Sequence, residues 1–226
     1  MCGRFTLTVS SRVLADVFQT SFPEVSPRYN IAPTQQVLTV RGGGDGRATA
    51  PMRWGLIPHW AEDERIGHRL INARSETAPA KPAFRTAFHS CRCLIPADGF
   101  YEWQKTASGK APHLIRRADG APFAMAGLWS RWRRSDGEPP VESCTILTCP
   151  PNELVARLHD RMPVILPPGS WNRWLDSASD PVELTTFLAP APADEMESYR
   201  VPKTVNDPRH DGPDCVRRLD EQASLW

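Results

Sequence analysis

Lysine is scarce in this chain. Of its 27 cationic side chains, 23 are arginine and four are lysine. Net charge is scarce too, since 27 cations against 26 anions leave a formal +1 at pH 7. So neutral a surface does not gather polyanions by bulk charge, and an anionic partner has to be met by a local cluster. No run of 18 apolar residues occurs, which excludes a helical membrane span. The first residues lack a basic stretch followed by an apolar core, so the expected location is the cytoplasm. The six cysteines, Cys2, Cys91, Cys93, Cys144, Cys149 and Cys215, form no C-x-x-C pair. Zinc sites use tighter, repeated spacing, so no metal is expected. A reducing compartment disfavours disulfides. Internal repeats and low-complexity linkers are absent as well.

What is present reads as one folded unit. The chain has 226 residues, 40% hydrophobic and 23% charged, enough for a sizeable core. Its 23 prolines are about twice the usual share of roughly 5%, and their spread predicts many irregular connections. "CGRFTLT" alternates like a strand, and "SSRVLADVFQT" has a serine cap before apolar residues at helical spacing. "RYNIAPTQ" reads as a loop, and "QVLTVR" as a strand ending in the hairpin turn "GGGDG". "PMRWGLIPHW" begins as a strand, and "LINAR" is short and extended. "CRCLIPADGFYEWQK" reads as two strands around a turn. "HLIRR", "APFAMAGLWSRW" and "VESCTILTC" are further strands, and "MPVIL" is extended. "KPAFRTAFH", "PNELVARLH", "PGSWNRWLD" and "PVELTTFLA" look helical. The C-terminal stretch reads as mostly irregular, with residues 216–226 a peripheral tail. Strands joined by tight turns pair antiparallel, and helices that do not alternate with strands exclude a doubly wound sheet. The predicted fold class is α+β: one domain over residues 1–226, with antiparallel sheets curled into a barrel-like core and short helices outside.

Four stretches put polar residues where the pattern does not call for them. In the opening "MCGRF", Cys2 and Arg4 alternate onto one face if the segment is a strand. If Met1 is removed, Cys2 carries a free α-amine and a thiol on one residue. In "INARSET", Asn72 and Arg74 share a face. In "ADGFYEWQK", Glu102 sits between Tyr101 and Trp103, and a carboxylate walled by aromatics is disfavoured in its charged form, as a general acid or base requires. In "LHDRMPVIL", His159, Asp160 and Arg161 precede an apolar strand. Each has a bland alternative: a buried thiol, an outward-facing strand glutamate, a structural histidine. The arginine bias likewise fits either a GC-rich genome or phosphate recognition by the guanidinium fork.

Together these stretches resemble the SOS-response-associated peptidase family, also described as abasic-site processing proteins. The matching segments are "MCGRF", "RYNIAPTQ", "RWGLIPHW", "INARSET", "RCLIPADGFYEW", "FAMAGLW", "TILT", "HDRMPVIL" and "TVNDPRHDGPDC", in the expected order to near position 215. The resemblance implies action on abasic sites in single-stranded DNA by a monomer without cofactor, with nucleoid association. It makes Cys2 the nucleophile, Glu102 a proton shuttle, His159 an acid or base, and Asn72 a hydrogen-bonding partner of the amine or sugar. It assigns DNA contacts to Arg4, Asn30, Pro33, Trp60, Arg74, Lys81, Arg85, Thr148 and Arg161, with Trp60 stacking on bases. Some members carry a second aromatic after that tryptophan, where this chain has Ala61. Peptidase activity, the removal of residue 1, and a lyase activity are implied as well.

Two other classes stay open. "MCG" also begins glutamine amidotransferases, but those usually continue with isoleucine, and here the fourth residue is Arg4. A non-covalent single-strand binder would keep the arginines and Trp60 and would not need Cys2.

Overall fold

The computed structural model describes residues 2–43, 46–107, 109–135 and 137–219. Its strands are β1 (Phe5–Leu7), β2 (Arg28–Ile31), β3 (Gln36–Gly43), β4 (Gly46–Trp54), β5 (Asn72–Arg74), β6 (Arg92–Ala97), β7 (Gly99–Thr106), β8 (Gly109–Arg117), β9 (Phe123–Trp132), β10 (Val141–Cys149), β11 (Met162–Pro163), β12 (Ile165–Leu166) and β13 (Met196–Arg200). Short helices lie between them: α1 (Ser11–Phe18), α2 (Arg85–Ser90), α3 (Glu153–Ala156), α4 (Trp171–Leu175) and α5 (Pro181–Thr185). None is long and apolar enough to cross a membrane.

Five strands close into a barrel in the order β10–β4–β3–β6–β9 and back to β10. Each antiparallel step reverses chain direction, so a ring of five cannot be antiparallel throughout. The odd step is β10 against β4, which is parallel and short, with Ser143 opposite Arg53 and Cys144 opposite Trp54. The chain then leaves the ring at Gly55 and returns as β5, which continues the parallel pairing along β10 from Ile146 to Thr148. Gly55 has φ +126°, and a Cβ there would lie 2.6 Å from the Gly67 carbonyl oxygen. Only glycine fits so close an approach. The excursion over residues 55–71 is pinched at this neck, and Trp60 rides on it.

A second sheet, β13–β8–β7–β1–β2, is antiparallel at every step. Apolar side chains from the barrel, from β1 and from the helices form one large cluster, in which Phe5 meets Trp54 edge-on and Phe18 stacks on Trp171. Buried Arg92 ties α2 and α4 to the barrel by donating to the carbonyls of Phe88, His89, Trp174 and Asp176. Four acceptors on a guanidinium make such a burial tolerable.

The single α+β domain, the barrel-like core and the peripheral helices agree with expectation. Two local expectations do not. "RYNIAPTQ" is not all loop: Arg28–Ile31 forms β2, because β1 offers it a free edge to pair with. The two strands of "CRCLIPADGFYEWQK" are not a hairpin, since β6 belongs to the barrel and β7 to the second sheet. The C-terminal stretch is mostly irregular, as expected, apart from β13, which pairs with β8 over five residues. Part of the "GGGDG" turn and of the 216–226 tail lies outside the described residues.

Asp98 sits where the chain passes between the sheets. Its carboxylate accepts from Thr6 Oγ1, Thr8 N, Thr8 Oγ1 (2.7 Å) and Val9 N (3.0 Å), locking β1 to the crossover. Asp98→Ala would strand donors in a mostly buried place. A loss of about 3 kcal/mol is expected, read as a lower urea midpoint at unchanged slope.

Candidate active site

The N-terminal residues cross the gap between barrel and second sheet. Cys2 is fully buried in the main apolar cluster. Its carbonyl accepts a hydrogen bond from Asn72 Nδ2 at 2.8 Å. β5 places Asn72 there, and its Oδ1 is buried and accepts nothing from the described residues. The Cys2 thiol points weakly at the Arg4 carbonyl, 3.9 Å away. Burial first, and the nearby Glu102 carboxylate second, push the thiol far above its usual range. Unaided it stays a thiol at neutral pH, so a nucleophilic role needs a base.

Glu102, on β7, is 2% exposed. Burial raises its carboxyl from the ordinary 4.5 to about 7, while the positive charge of the chain's α-amine works against that rise. Of the two expected aromatic walls, Trp103 borders the cleft onto which Glu102 opens and Tyr101 does not. Strand alternation sends Tyr101 to the opposite face, where it packs with Leu114, Tyr199 and Val205, and Trp103 packs on that cluster too. Glu102 points the other way and opens onto a cleft of about 720 Å³, shared with Lys105, Lys110, Arg157 and His159.

His159 follows α3, whose N-terminus is capped by Asn152. Its Nδ1 accepts from the Arg161 backbone N–H at 3.0 Å, so the neutral ring carries its proton on Nε2. Asp160 Oδ1 lies 2.8 Å from the same Nδ1 and becomes its partner only when the ring is charged. Burial first, and the α-amine charge second, lower the His159 pKa, against the pull of Asp160. At neutral pH the imidazole is therefore uncharged. Cys2, Asn72, Glu102 and His159 thus surround one place, contributed by four separate segments. Met1 lies outside the described residues.

The expected DNA-contacting residues divide in two. Trp60 (51% exposed), Arg74, Lys81 and Arg85 lie at the surface. Successive backbone bonds, Ala78 to Arg74, Lys81 to Thr77 and Arg85 to Lys81, string the three cations along one coiled segment. None is in an ion pair among the described residues. The others are engaged within the fold. Arg4 donates to Asn30 Oδ1 and the Val205 carbonyl, both at 2.8 Å. Asn30 is buried and donates to the carbonyls of Val205, Asp207 and His210. Arg161 grips Glu76 through both terminal nitrogens. Thr148 is buried on β10, and Pro33 is half-buried in a turn. Cys2 and Arg4 do not share a face, because β1 starts only at Phe5 and the two side chains enter different clusters. Lys105, Lys110 and Arg157 were not expected here. Their one sequence signal is rarity, two of the four lysines flanking a single turn.

Among the described residues His210, Asp214 and Cys215 bring ligand atoms within 4.8 Å. His210 Nε2 is already bonded to Asp214, and burial keeps the Cys215 thiol protonated, so the trio acts as a clasp.

A buried acid with a raised pKa favours the fold when protonated and costs stability when ionised. That cost appears as pH rises from about 4.5 to about 7, and amounts to about 3 kcal/mol. Glu102→Gln should therefore match the parent at pH 4.5 and be more stable by about that much at pH 8. Denaturant unfolding at both pH values tests this, and equal differences would mean that Glu102 titrates normally.

A family model described as SOS response associated peptidase (SRAP) matches residues 1–208. The protein named abasic site processing protein YoqW, from Bacillus subtilis (strain 168), is 43% identical over 222 residues, spanning 96% of this chain and 99% of that one. The protein named abasic site processing protein YedK, from Escherichia coli (strain K12), is 30% identical over 227 residues, spanning 96% and 99%. A crystal structure of a protein from Bacteroides thetaiotaomicron matches with a TM-score of 0.87 over 96% of this chain and all of that one, and at 24% identity it shows the fold alone. Matched nearly end to end by both the family model and its relatives, the chain belongs to the SOS response associated peptidase family.

Proposed function

We propose that this protein processes abasic sites in single-stranded DNA by forming a covalent link through Cys2 once Met1 is gone. The observation that carries this is the buried Glu102 carboxyl, poised at about 7 beside the Cys2 thiol. The ring-opened abasic sugar presents an aldehyde. The Cys2 α-amine adds to its carbon, and loss of one water gives an imine. The thiol then adds across the C=N bond, its proton passing to nitrogen, to close a thiazolidine. The overall change is protein plus DNA minus one water.

Near pH 7 Glu102 exists in both forms. As the acid it protonates the departing hydroxyl, and as the base it takes the thiol proton. Asn72 holds the Cys2 carbonyl, and so the attacking residue, in place. Neutral His159, its Nδ1 occupied by the Arg161 N–H, donates its Nε2–H to a sugar or phosphate oxygen in the same cleft. Arg74, Lys81 and Arg85 contact phosphates, and exposed Trp60 stacks on bases, a contact that tolerates any sequence. Arg4, Asn30, Thr148 and Arg161 shape the groove from beneath. Peptidase activity toward residue 1 and a lyase activity belong to the same proposal. Family membership removes the amidotransferase alternative. A non-covalent binder remains the contrasting case.

Intact-mass analysis after mixing with an oligonucleotide bearing one abasic site decides between them. The expected product is the sum of the two masses less one water. Cys2→Ala should give none, and Cys2→Ser at most a labile imine. A preparation shown to retain Met1 that still formed a stable adduct would overturn the ring-closure chemistry.

The adduct-forming rate should peak near pH 7, falling below it as the base is lost and above it as the acid is lost. Glu102→Gln should slow the reaction about 10²–10⁴-fold and abolish that bell while leaving the binding of plain single strands intact. An unaltered pH–rate profile would remove Glu102 from proton transfer.

A further inference from the structure

The Glu102–His159 cleft does not end at the reacting residues. A second cleft of about 240 Å³ adjoins it, sharing Gln104 and Lys110, and is lined further by Thr106, Ala111, Arg200 and Lys203. No acidic side chain lines this second cleft. Three of the chain's four lysines, Lys105, Lys110 and Lys203, border the two clefts. In the β7–β8 pairing Lys105 lies directly opposite Lys110. Like charges set directly across strands are destabilising, so the fold bears a local cost there that a bound anion would relieve. Arg200 follows at the end of β13, opposite His113, whose pKa is lowered by burial first and by the Arg200 charge second.

None of these cations has an ion-pair partner among the described residues. That is not the habit of this sheet. Arg116 and Arg218 both bind Glu197, and Arg117 binds Asp119 and Glu195. Acids are thus paired with the arginines elsewhere on β8 and β13, whereas the second cleft has none and the two acids of the first, Glu102 and Asp160, form no ion pair with these four cations among the described residues. The cations are exposed, successive and continuous with the reaction cleft.

We propose that the two clefts form a track for the sugar–phosphate backbone of the strand as it leaves the Glu102–His159 site, with Lys105, Lys110, Arg200 and Lys203 contacting successive phosphates. The track rests on the nucleic-acid function proposed above and adds a second arm to it, separate from Arg74, Lys81 and Arg85. It also gives the substrate's path a direction, across the β7–β8 hairpin toward the end of β13.

The test measures binding of a fluorescent, undamaged oligothymidylate across a salt series, for wild type, a Lys110→Gln/Lys203→Gln double variant, and Arg12→Gln on α1 as a control outside both clefts. All three substitutions are at exposed positions. The log–log salt slope of the double variant should be shallower by about 1.4, from two contacts at about 0.7 each for single strands. Arg12→Gln should keep the wild-type slope, and Lys110→Arg/Lys203→Arg should restore it. Cross-linking of abasic DNA at saturating concentration should stay at the wild-type level in Arg12→Gln. A wild-type slope in the double variant overturns the track and leaves the reaction site standing. A wild-type protein that binds neither plain nor abasic oligonucleotide overturns both.

Discussion

A ring of five strands must contain a parallel step, and the arrangement of the site follows from where that step falls. β4 and β10 run the same way, so they cannot be joined by a hairpin, and their pairing covers only two residues of each. The rest of β10 needs a partner. It gets one because the chain leaves at Gly55 and re-enters as β5 on the same line. β5 exists to satisfy the backbone of a barrel strand, yet it also carries Asn72 to the Cys2 carbonyl. The excursion that the detour requires carries Trp60 outward. One directional constraint thereby produces both a positioning side chain and an exposed aromatic.

The cations show a similar division of labour. Several arginines serve the fold: Arg92 closes two helix ends, Arg161 grips Glu76, and Arg4 and Asn30 anchor the start of the chain to residues 205–210. Such residues have their donors committed to carbonyls and carboxylates. Of those without an ion-pair partner among the described residues, one group lies along residues 74–85 and another along the β7–β8 hairpin. A chain with a net charge of +1 can therefore present strongly positive local fields without a positive molecule.

Periodic segments were legible from sequence. Leu14 and Phe18 on α1, and the barrel strands, announce themselves by spacing and by turn residues at their ends. β2 did not, because Arg28, Tyr29, Asn30 and Ile31 show no alternation and become a strand only through the edge that β1 offers. β13 is hidden for the same reason. Within the site, Cys2, Asn72, Glu102 and His159 were readable as motif residues, although the cause of Glu102's burial was not, since strand neighbours point away from each other. Arg4 and Asn30 looked like surface contacts because a sequence shows donors and hides the acceptors that occupy them. The β7–β8 lysines carried no motif at all and gain meaning only from their register.

The clasp between the beginning and the end of the chain has a consequence in time. Arg4 and Asn30 bind the carbonyls of residues 205–210, so the sheet that seats the N-terminus cannot be finished until almost the whole chain has been made. At synthesis rates of roughly 5–20 residues per second, the interval between the first residues and the last is on the order of 10–40 s. During it the Met1–Cys2 bond belongs to a segment without its final partners, open to any aminopeptidase near the ribosome. Once folded, Cys2 is fully buried, out of reach of an external enzyme. Trimming by a separate enzyme would therefore be an event of synthesis, whereas self-trimming would be an event of the finished molecule.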